Sequence, residues 1–112
     1  MQPFSYMLFF ILFSILFSNK FKYEEGDWLA PHNDASQYVD KYGEHLDRQI
    51  TAVTMIDKSD DLRGGTLCVY QKGLRMEFDL EIGETVFFPA EDLHESTKIR
   101  KGFREILVSW MA

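Results

Sequence analysis

His32-Asn33-Asp34 places an imidazole and a carboxylate two residues apart. In an extended chain, residues i and i+2 point to the same side, so both groups can face one ion. His94, sixty residues beyond Asp34, opens a later apolar run and could supply a second imidazole. Two nitrogens and one oxygen on one face of an octahedron leave three positions open, the 2-His-1-carboxylate arrangement suited to non-haem Fe(II). Arg104 lies ten residues after His94, within Gly102-Phe103-Arg104. Its guanidinium could hold a carboxylate by two parallel charge-assisted hydrogen bonds. Each residue also has an ordinary reading: a histidine on a surface loop, or an arginine paired with one of eighteen acids. His45, between Glu44 and Asp47, takes the surface reading. Cys68 is the single cysteine, which excludes an internal disulfide and any CxxC motif. It reads as a small buried apolar residue. No side-chain nucleophile or general base is evident.

The elements that must position these residues belong to a chain of 112 residues, a length that suits one domain. A net charge of −6 argues against binding nucleic acid through its phosphates, which needs a basic face. With 46% apolar and 15% aromatic residues the chain can bury a core, so disorder is excluded as its main character. All thirty charged side chains fall in residues 20–112. Phe4 to Phe17 is apolar except at Ser5 and Ser14, shorter than the roughly 20 residues a helix needs to cross a bilayer core. Its length fits a signal-peptide core, yet no Lys or Arg precedes it and no small-x-small site follows. Lys20 and Lys22 would hold the following side cytoplasmic if residues 4–17 inserted. Residues 1–19 are therefore read as an apolar segment (signal, anchor or packed helix) ahead of a domain over residues 20–112. Localisation is accordingly cytoplasmic, or membrane-anchored or secretory if that segment is an anchor or signal.

From Lys20 onward, short β-type runs recur between turn signals. The expected strands are Lys20–Glu24, Trp28–His32, Arg48–Asp57, Thr66–Gln71, Leu74–Leu80, Thr85–Pro89, Leu93–Ile99 and Phe103–Met111. Lys72-Gly73 reads as a tight hairpin. Leu74, Met76, Phe78 and Leu80 alternate with Arg75, Glu77 and Asp79, as a strand with one wet face should. Eight short strands with frequent turns point to an all-β sandwich or jelly roll. Trp110, Phe87, Phe88 and Ile106 are assigned to its core. The fifteen residues Asn33–Asp47 are long for a connector and read either as a lid or substrate-contacting loop or as a solvated acidic loop.

From Tyr23 to Trp110 the sequence resembles the prolyl-hydroxylase-like 2-oxoglutarate/Fe(II) dioxygenases. The matching pieces run in the family's order: Tyr23-Glu24-Glu25-Gly26-Asp27-Trp28-Leu29-Ala30-Pro31-His32-Asn33-Asp34, then Arg48-Gln49-Ile50-Thr51 and Leu62-Arg63-Gly64-Gly65-Thr66-Leu67. Ile82-Gly83-Glu84-Thr85-Val86-Phe87-Phe88-Pro89, Leu93-His94-Glu95, Lys101-Gly102-Phe103-Arg104-Glu105-Ile106-Leu107 and Trp110 complete them. The Gly64-Gly65 and Phe87-Phe88-Pro89 pieces look closer to small microbial or viral members than to oxygen-sensing ones.

The resemblance implies a double-stranded β-helix, a jelly roll of eight antiparallel strands; the apolar block ahead of it, read from its composition, could add an N-terminal helix. The resemblance also implies Fe(II) held by His32, Asp34 and His94, 2-oxoglutarate with its far carboxylate on Arg104, O₂ as the oxidant and ascorbate as reductant. Tyr23 falls where many relatives place a tyrosine on that same carboxylate. Met55 occupies a position where some relatives have a second polar contact; a thioether is a poor acceptor, so that contact is expected to be missing or supplied by Thr54. The implied reaction is hydroxylation of a C–H bond, on a prolyl or lysyl residue of a protein or peptide, with release of succinate and CO₂. The metal and keto acid carry the hard chemistry, and the protein positions the reactants.

Relatives carry helices and further strands ahead of the Tyr23 position, where this sequence has the apolar block, so a minimal domain behind an anchor and a truncated fragment are both expected forms. The rival to an enzyme is a non-catalytic jelly-roll binding module or a truncated remnant, and a weaker alternative is a cupin-like protein holding another ion. The sequence is silent on oligomeric state.

Overall fold

The computed structural model describes residues 15–35, 37–39 and 45–111. Twelve strands follow one another without a helix among the described residues. They are β1 (Ile15–Tyr23), β2 (Leu29–His32), β3 (Gln37–Val39), β4 (His45–Asp47), β5 (Ile50–Lys58) and β6 (Arg63–Gly64). After these come β7 (Leu67–Gln71), β8 (Leu74–Phe78), β9 (Thr85–Pro89), β10 (Leu93–Ser96), β11 (Ile99–Lys101) and β12 (Arg104–Met111). Eight of them form two four-stranded sheets, ordered β1-β12-β5-β9 and β2-β10-β7-β8, and every pairing is antiparallel. This is the expected jelly roll, and each of the eight predicted strands corresponds to one strand of these two sheets.

The differences lie at the ends of the predicted strands and in the connections. β1 begins at Ile15, five residues before the compositional break at Asn19–Lys20, and pairs with β12 from Ile15↔Met111 to Tyr23↔Arg104. Residues 15–19 are thus sheet and not helix, because the apolar tail lies along the edge of β12, whose hydrogen bonds it completes. The rest of the apolar block, residues 1–14, lies outside the described residues. No helix among the described residues is long and apolar enough to cross a membrane. The predicted strand Leu93–Ile99 is two: β10 stops at Ser96, and β11 leaves to pair with β6. Between them Thr97 N donates to Thr66 O and Gly65 N to Lys98 O, which redirects the chain. The connection Asn33–Asp47 contains the hairpin β3–β4, with Tyr38 opposite Leu46. The side chains of this hairpin, including His45, and all of Tyr42 lie outside the described residues.

Side-chain alternation aims one face of each sheet inward. On β12 the inward set is Arg104, Ile106, Val108 and Trp110; on β5 it is Thr51, Val53 and Met55; on β10 it is His94 and Ser96. The core joins Val53, Met55, Leu67, Val69, Phe88, Ile106, Val108 and Trp110 from both sheets. Each such buried aliphatic or aromatic group contributes about 1.5–3 kcal/mol. The same alternation corrects one assignment: Phe87, expected in the core, is 51% exposed, because Val86 and Phe88 take the inward positions of edge strand β9. Lys72 and Gly73 form the β7–β8 hairpin with φ of 50° and 79°, the signature of a two-residue turn matched to strand twist.

Candidate metal centre

Four distant parts of the sequence meet at one cavity of about 200 Å³ between the sheets. β2 and β10 pair so that His32 lies directly opposite His94. Asp34 follows β2 and is anchored by its backbone N–H to the carbonyl of Ala90, 2.8 Å away. The result brings together His32 Nε2 and Asp34 Oδ1 at 3.4 Å, and His94 Nε2 and Asp34 Oδ2 at 3.2 Å. One donor atom from each residue lies within 4.8 Å of the others. Arg104, at the head of β12, lines the same cavity, as does Tyr23 from β1.

Hydrogen bonds fix how each imidazole is presented. His32 Nδ1 lies 2.7 Å from the Ala30 carbonyl, and His94 Nδ1 lies 3.0 Å from the Asp92 carbonyl. A carbonyl only accepts, so each Nδ1 carries a proton and each Nε2 faces the cavity. Backbone carbonyls orient metal-binding histidines in this way. Asp34 Oδ2 accepts from Thr51 Oγ1 at 2.9 Å and from Trp110 Nε1 at 3.0 Å. Burial pushes the Asp34 pKa up, but the bonds from His94, Trp110 and Thr51 outweigh it and bring the pKa down to about 2. For His94, burial lowers the pKa while the Asp34 carboxylate and the Asp92 carbonyl raise it, and the net shift is upward.

The donor set fits a divalent cation. His32 Nε2 and Asp34 Oδ1, both acceptors and 3.4 Å apart, repel unless a cation lies between them. Ligand bonds of about 2.1 Å at neighbouring octahedral corners put donor atoms about 3 Å apart.

Arg104 is 2% exposed and forms no ion pair among the described residues. Its Nη2 donates to Ser96 Oγ, its Cζ lies 4.7 Å from the Tyr23 ring centroid, and its Nε has no partner. Burial lowers its pKa, and the neighbouring Tyr23 opposes that shift. A buried guanidinium with an unsatisfied N–H fits an anionic ligand, with a carboxylate as its best geometric match. Tyr23 stacks on the guanidinium as its cross-strand neighbour. Its pKa is raised by burial, against the nearby Arg104 charge.

Thr54 does not supply a further contact here: it points to the outer face, where its Oγ1 lies 2.6 Å from Thr85 Oγ1. Met55 takes the inward position and joins the core. Three polar participants are not singled out by the sequence pattern: Ser96 on Arg104, and Thr51 and Trp110 on Asp34. The signal for Ser96 was its spacing, two residues after His94 and so on the same face. Trp110 is buried, as a core residue should be, but its indole N–H also faces the carboxylate.

A jelly roll with two imidazoles, a carboxylate and a buried arginine around one cavity defines a β-sandwich with a candidate metal centre between its sheets. Residues 19–112 match the model of the 2OG-Fe(II) oxygenase superfamily, and the chain belongs to that superfamily. A PKHD-type hydroxylase of Cupriavidus pinatubonensis is 30% identical over 91 residues, covering 80% of this chain and 40% of that protein. Among solved structures, a prolyl-4-hydroxylase of Pseudomonas putida superposes with a TM-score of 0.66 at 22% identity, over 84% of this chain and 50% of that one. The viral collagen prolyl hydroxylase of Paramecium bursaria Chlorella virus-1, a 2OG complex, gives 0.63 at 18% identity, over 95% and 66%. These structural likenesses establish the shared fold. The chain spans 40% or less of the length of the curated hydroxylases it matches here.

Proposed function

We propose that this chain forms the catalytic jelly roll of an Fe(II)- and 2-oxoglutarate-dependent hydroxylase acting on a C–H bond of a peptide or protein. The domain over residues 20–112, extended by the start of β1, carries the site. His32 Nε2, His94 Nε2 and Asp34 would hold Fe(II), and Arg104, flanked by Tyr23, would take the far carboxylate of 2-oxoglutarate. Bound Fe(II), with 2-oxoglutarate and O₂, supplies the oxidising power for hydroxylation, with ascorbate as the reductant that restores the ferrous ion.

The observation that carries this reading is the pairing, in one cavity, of the His-Asp-His cluster with a buried arginine that lacks an anionic partner among the described residues. Each residue then has a definable task. The Ala30 and Asp92 carbonyls engage both Nδ1 atoms and so direct both Nε2 atoms inward. Asp34 stays ionised near neutral pH, offering a negative charge to a cation. Arg104 sets the direction in which a dicarboxylate enters, with its reactive end towards the cluster. The surrounding walls, Phe21, Val53, Leu67 and Val108 among them, exclude water from the reacting atoms. A prolyl or lysyl side chain is the proposed target; the likeness to a prolyl-4-hydroxylase and a collagen prolyl hydroxylase supports a peptide substrate.

The test begins with the anaerobic protein and Fe(II) plus 2-oxoglutarate. A weak visible charge-transfer band is expected, and oxygen should then give succinate. A metal-loaded protein that shows neither, or a His32→Ala or Asp34→Ala variant that retains succinate formation, refutes the proposal.

A further inference from the structure

Asp34 is held differently from the two histidines. Each imidazole is oriented by a carbonyl two residues away in its own strand or turn. The carboxylate is instead clamped from the opposite sheet, by Thr51 of β5 and Trp110 of β12. These two residues are direct partners in the β5–β12 ladder, so one cross-strand pair delivers both donors. Thr51 has no exposed surface, and Trp110 is buried with the Arg48 guanidinium 4.4 Å from its ring centroid. Neither donor can easily turn elsewhere.

Both donors go to the same oxygen. Oδ2 has two lone pairs, and Thr51 Oγ1 and Trp110 Nε1 supply two N–H or O–H bonds to it at 2.9 and 3.0 Å. Oδ1, on the His32 side, receives neither, whereas Oδ2 also shares a hydrogen bond with His94 Nε2 at 3.2 Å. We infer that Thr51 and Trp110 are positioning residues that reserve Oδ2 for the protein and leave Oδ1 as the single oxygen Asp34 offers to a metal ion. This rests on the metal-site reading above and extends it. One-oxygen ligation matters because a carboxylate that swung to offer both oxygens would occupy a coordination position needed by the incoming dicarboxylate. The bonds also keep the carboxylate from rotating into the cavity when no metal is bound.

The full chain is compared as wild type, T51V, T51S, W110F and T51V/W110F. Valine keeps the shape of threonine without the hydroxyl, serine restores the hydroxyl, and phenylalanine keeps a ring without the N–H. Mn(II) affinity is read from the electron-spin signal of free Mn(II), and coordination from the visible spectrum of the Co(II) form, with no turnover involved. Loss of an outer partner costs about 10- to 100-fold in metal affinity. T51V and W110F are expected within that range, the double variant at or beyond its upper end with an altered Co(II) spectrum, and T51S close to wild type. Wild-type affinity and an unchanged Co(II) spectrum in T51V and W110F overturn the inference. So does a T51S as weak as T51V, which would trace the loss to packing. Should the double variant not fold, the single variants decide by the same criteria. Absence of Mn(II) and Co(II) binding by the wild type would instead bring down the metal site itself.

Discussion

His32 stands directly opposite His94 across the β2–β10 pair, with ring centroids 4.2 Å apart. Two strands far apart in sequence thus deliver both imidazoles through a single register position. The two differ in burial: the His94 side chain is 7% exposed and packs against Phe88, whereas that of His32 is 34% exposed. Replacing either by alanine should weaken Fe(II) binding beyond the roughly 10- to 100-fold that follows loss of a mere supporting bond. Their stability costs should diverge, with His94→Ala losing about 1–3 kcal/mol and His32→Ala less than 1 kcal/mol. Anaerobic titration calorimetry and urea unfolding of the metal-free variants measure the two effects separately. Equal stability losses would contradict the burial difference.

Arg104 makes a second, independent prediction. Its buried charge has no carboxylate partner among the described residues, so an added dicarboxylate should stabilise the fold. At 100 times its dissociation constant, 2-oxoglutarate should add about 2.7 kcal/mol to wild-type stability. Arg104→Met should abolish that gain. The ligand-free variant should be no less stable than wild type, because removing an uncompensated buried charge offsets the lost Ser96 bond. Thermal unfolding with and without 2-oxoglutarate decides it; a full ligand-induced shift in Arg104→Met would rule out this role.

Much of this arrangement was legible in the sequence for a physical reason. The alternation of Leu74, Met76, Phe78 and Leu80 fixes an inward face, and the two-residue step from His32 to Asp34 puts both on one side. Turn chemistry at Lys72-Gly73 marks a hairpin because Gly73 takes a positive φ at no steric cost between two β-type runs. What escaped depends on register and on edges. That Trp110 stands beside Thr51 follows from how β12 lies along β5, which no local pattern encodes. Phe87 is apolar like its neighbours, and only the outward phase of an edge strand exposes it. The break after Ser96 and the extension of β1 back to Ile15 likewise reflect which partner strand is available.

Gly65 sits where the chain passes behind Arg104, and its φ of +66° lies in the left-handed region. A Cβ there would fall 2.9 Å from Ile99 Cγ1 and 3.3 Å from both Cδ and Nε of Arg104. Gly73 has a similar torsion, +79°, with nothing within 4 Å of the added carbon. Gly73→Ala should therefore cost only backbone strain, about 1–2 kcal/mol. Gly65→Ala should add about 1–3 kcal/mol of overpacking and also weaken 2-oxoglutarate binding by displacing the guanidinium. Chemical unfolding of both variants, with the 2-oxoglutarate thermal shift of each, tests the contrast; similar behaviour of the two alanines would discount the contact with Arg104.

Cys68 provides a pH-dependent prediction away from the metal centre. Its side chain is fully buried, and burial raises the thiol pKa; the Arg75 Nη2 bond to Sγ, 3.2 Å, opposes the rise, while Glu77 and Glu95 reinforce it. An unfolded thiol titrates near about 8.5. Because the folded pKa lies higher, the folded state holds this proton more tightly, and the resulting stability is fully present below about pH 8.5. It is lost as pH rises through the folded pKa. The stability difference between wild type and Cys68→Ala should hence stay constant from about pH 6 to 8 and shift against wild type above about pH 8.5. Iodoacetamide, which needs the thiolate, should label the folded protein far more slowly than the unfolded chain at about pH 8. A difference between the two proteins that stays flat up to about pH 10.5 would show that burial does not hold the thiol neutral.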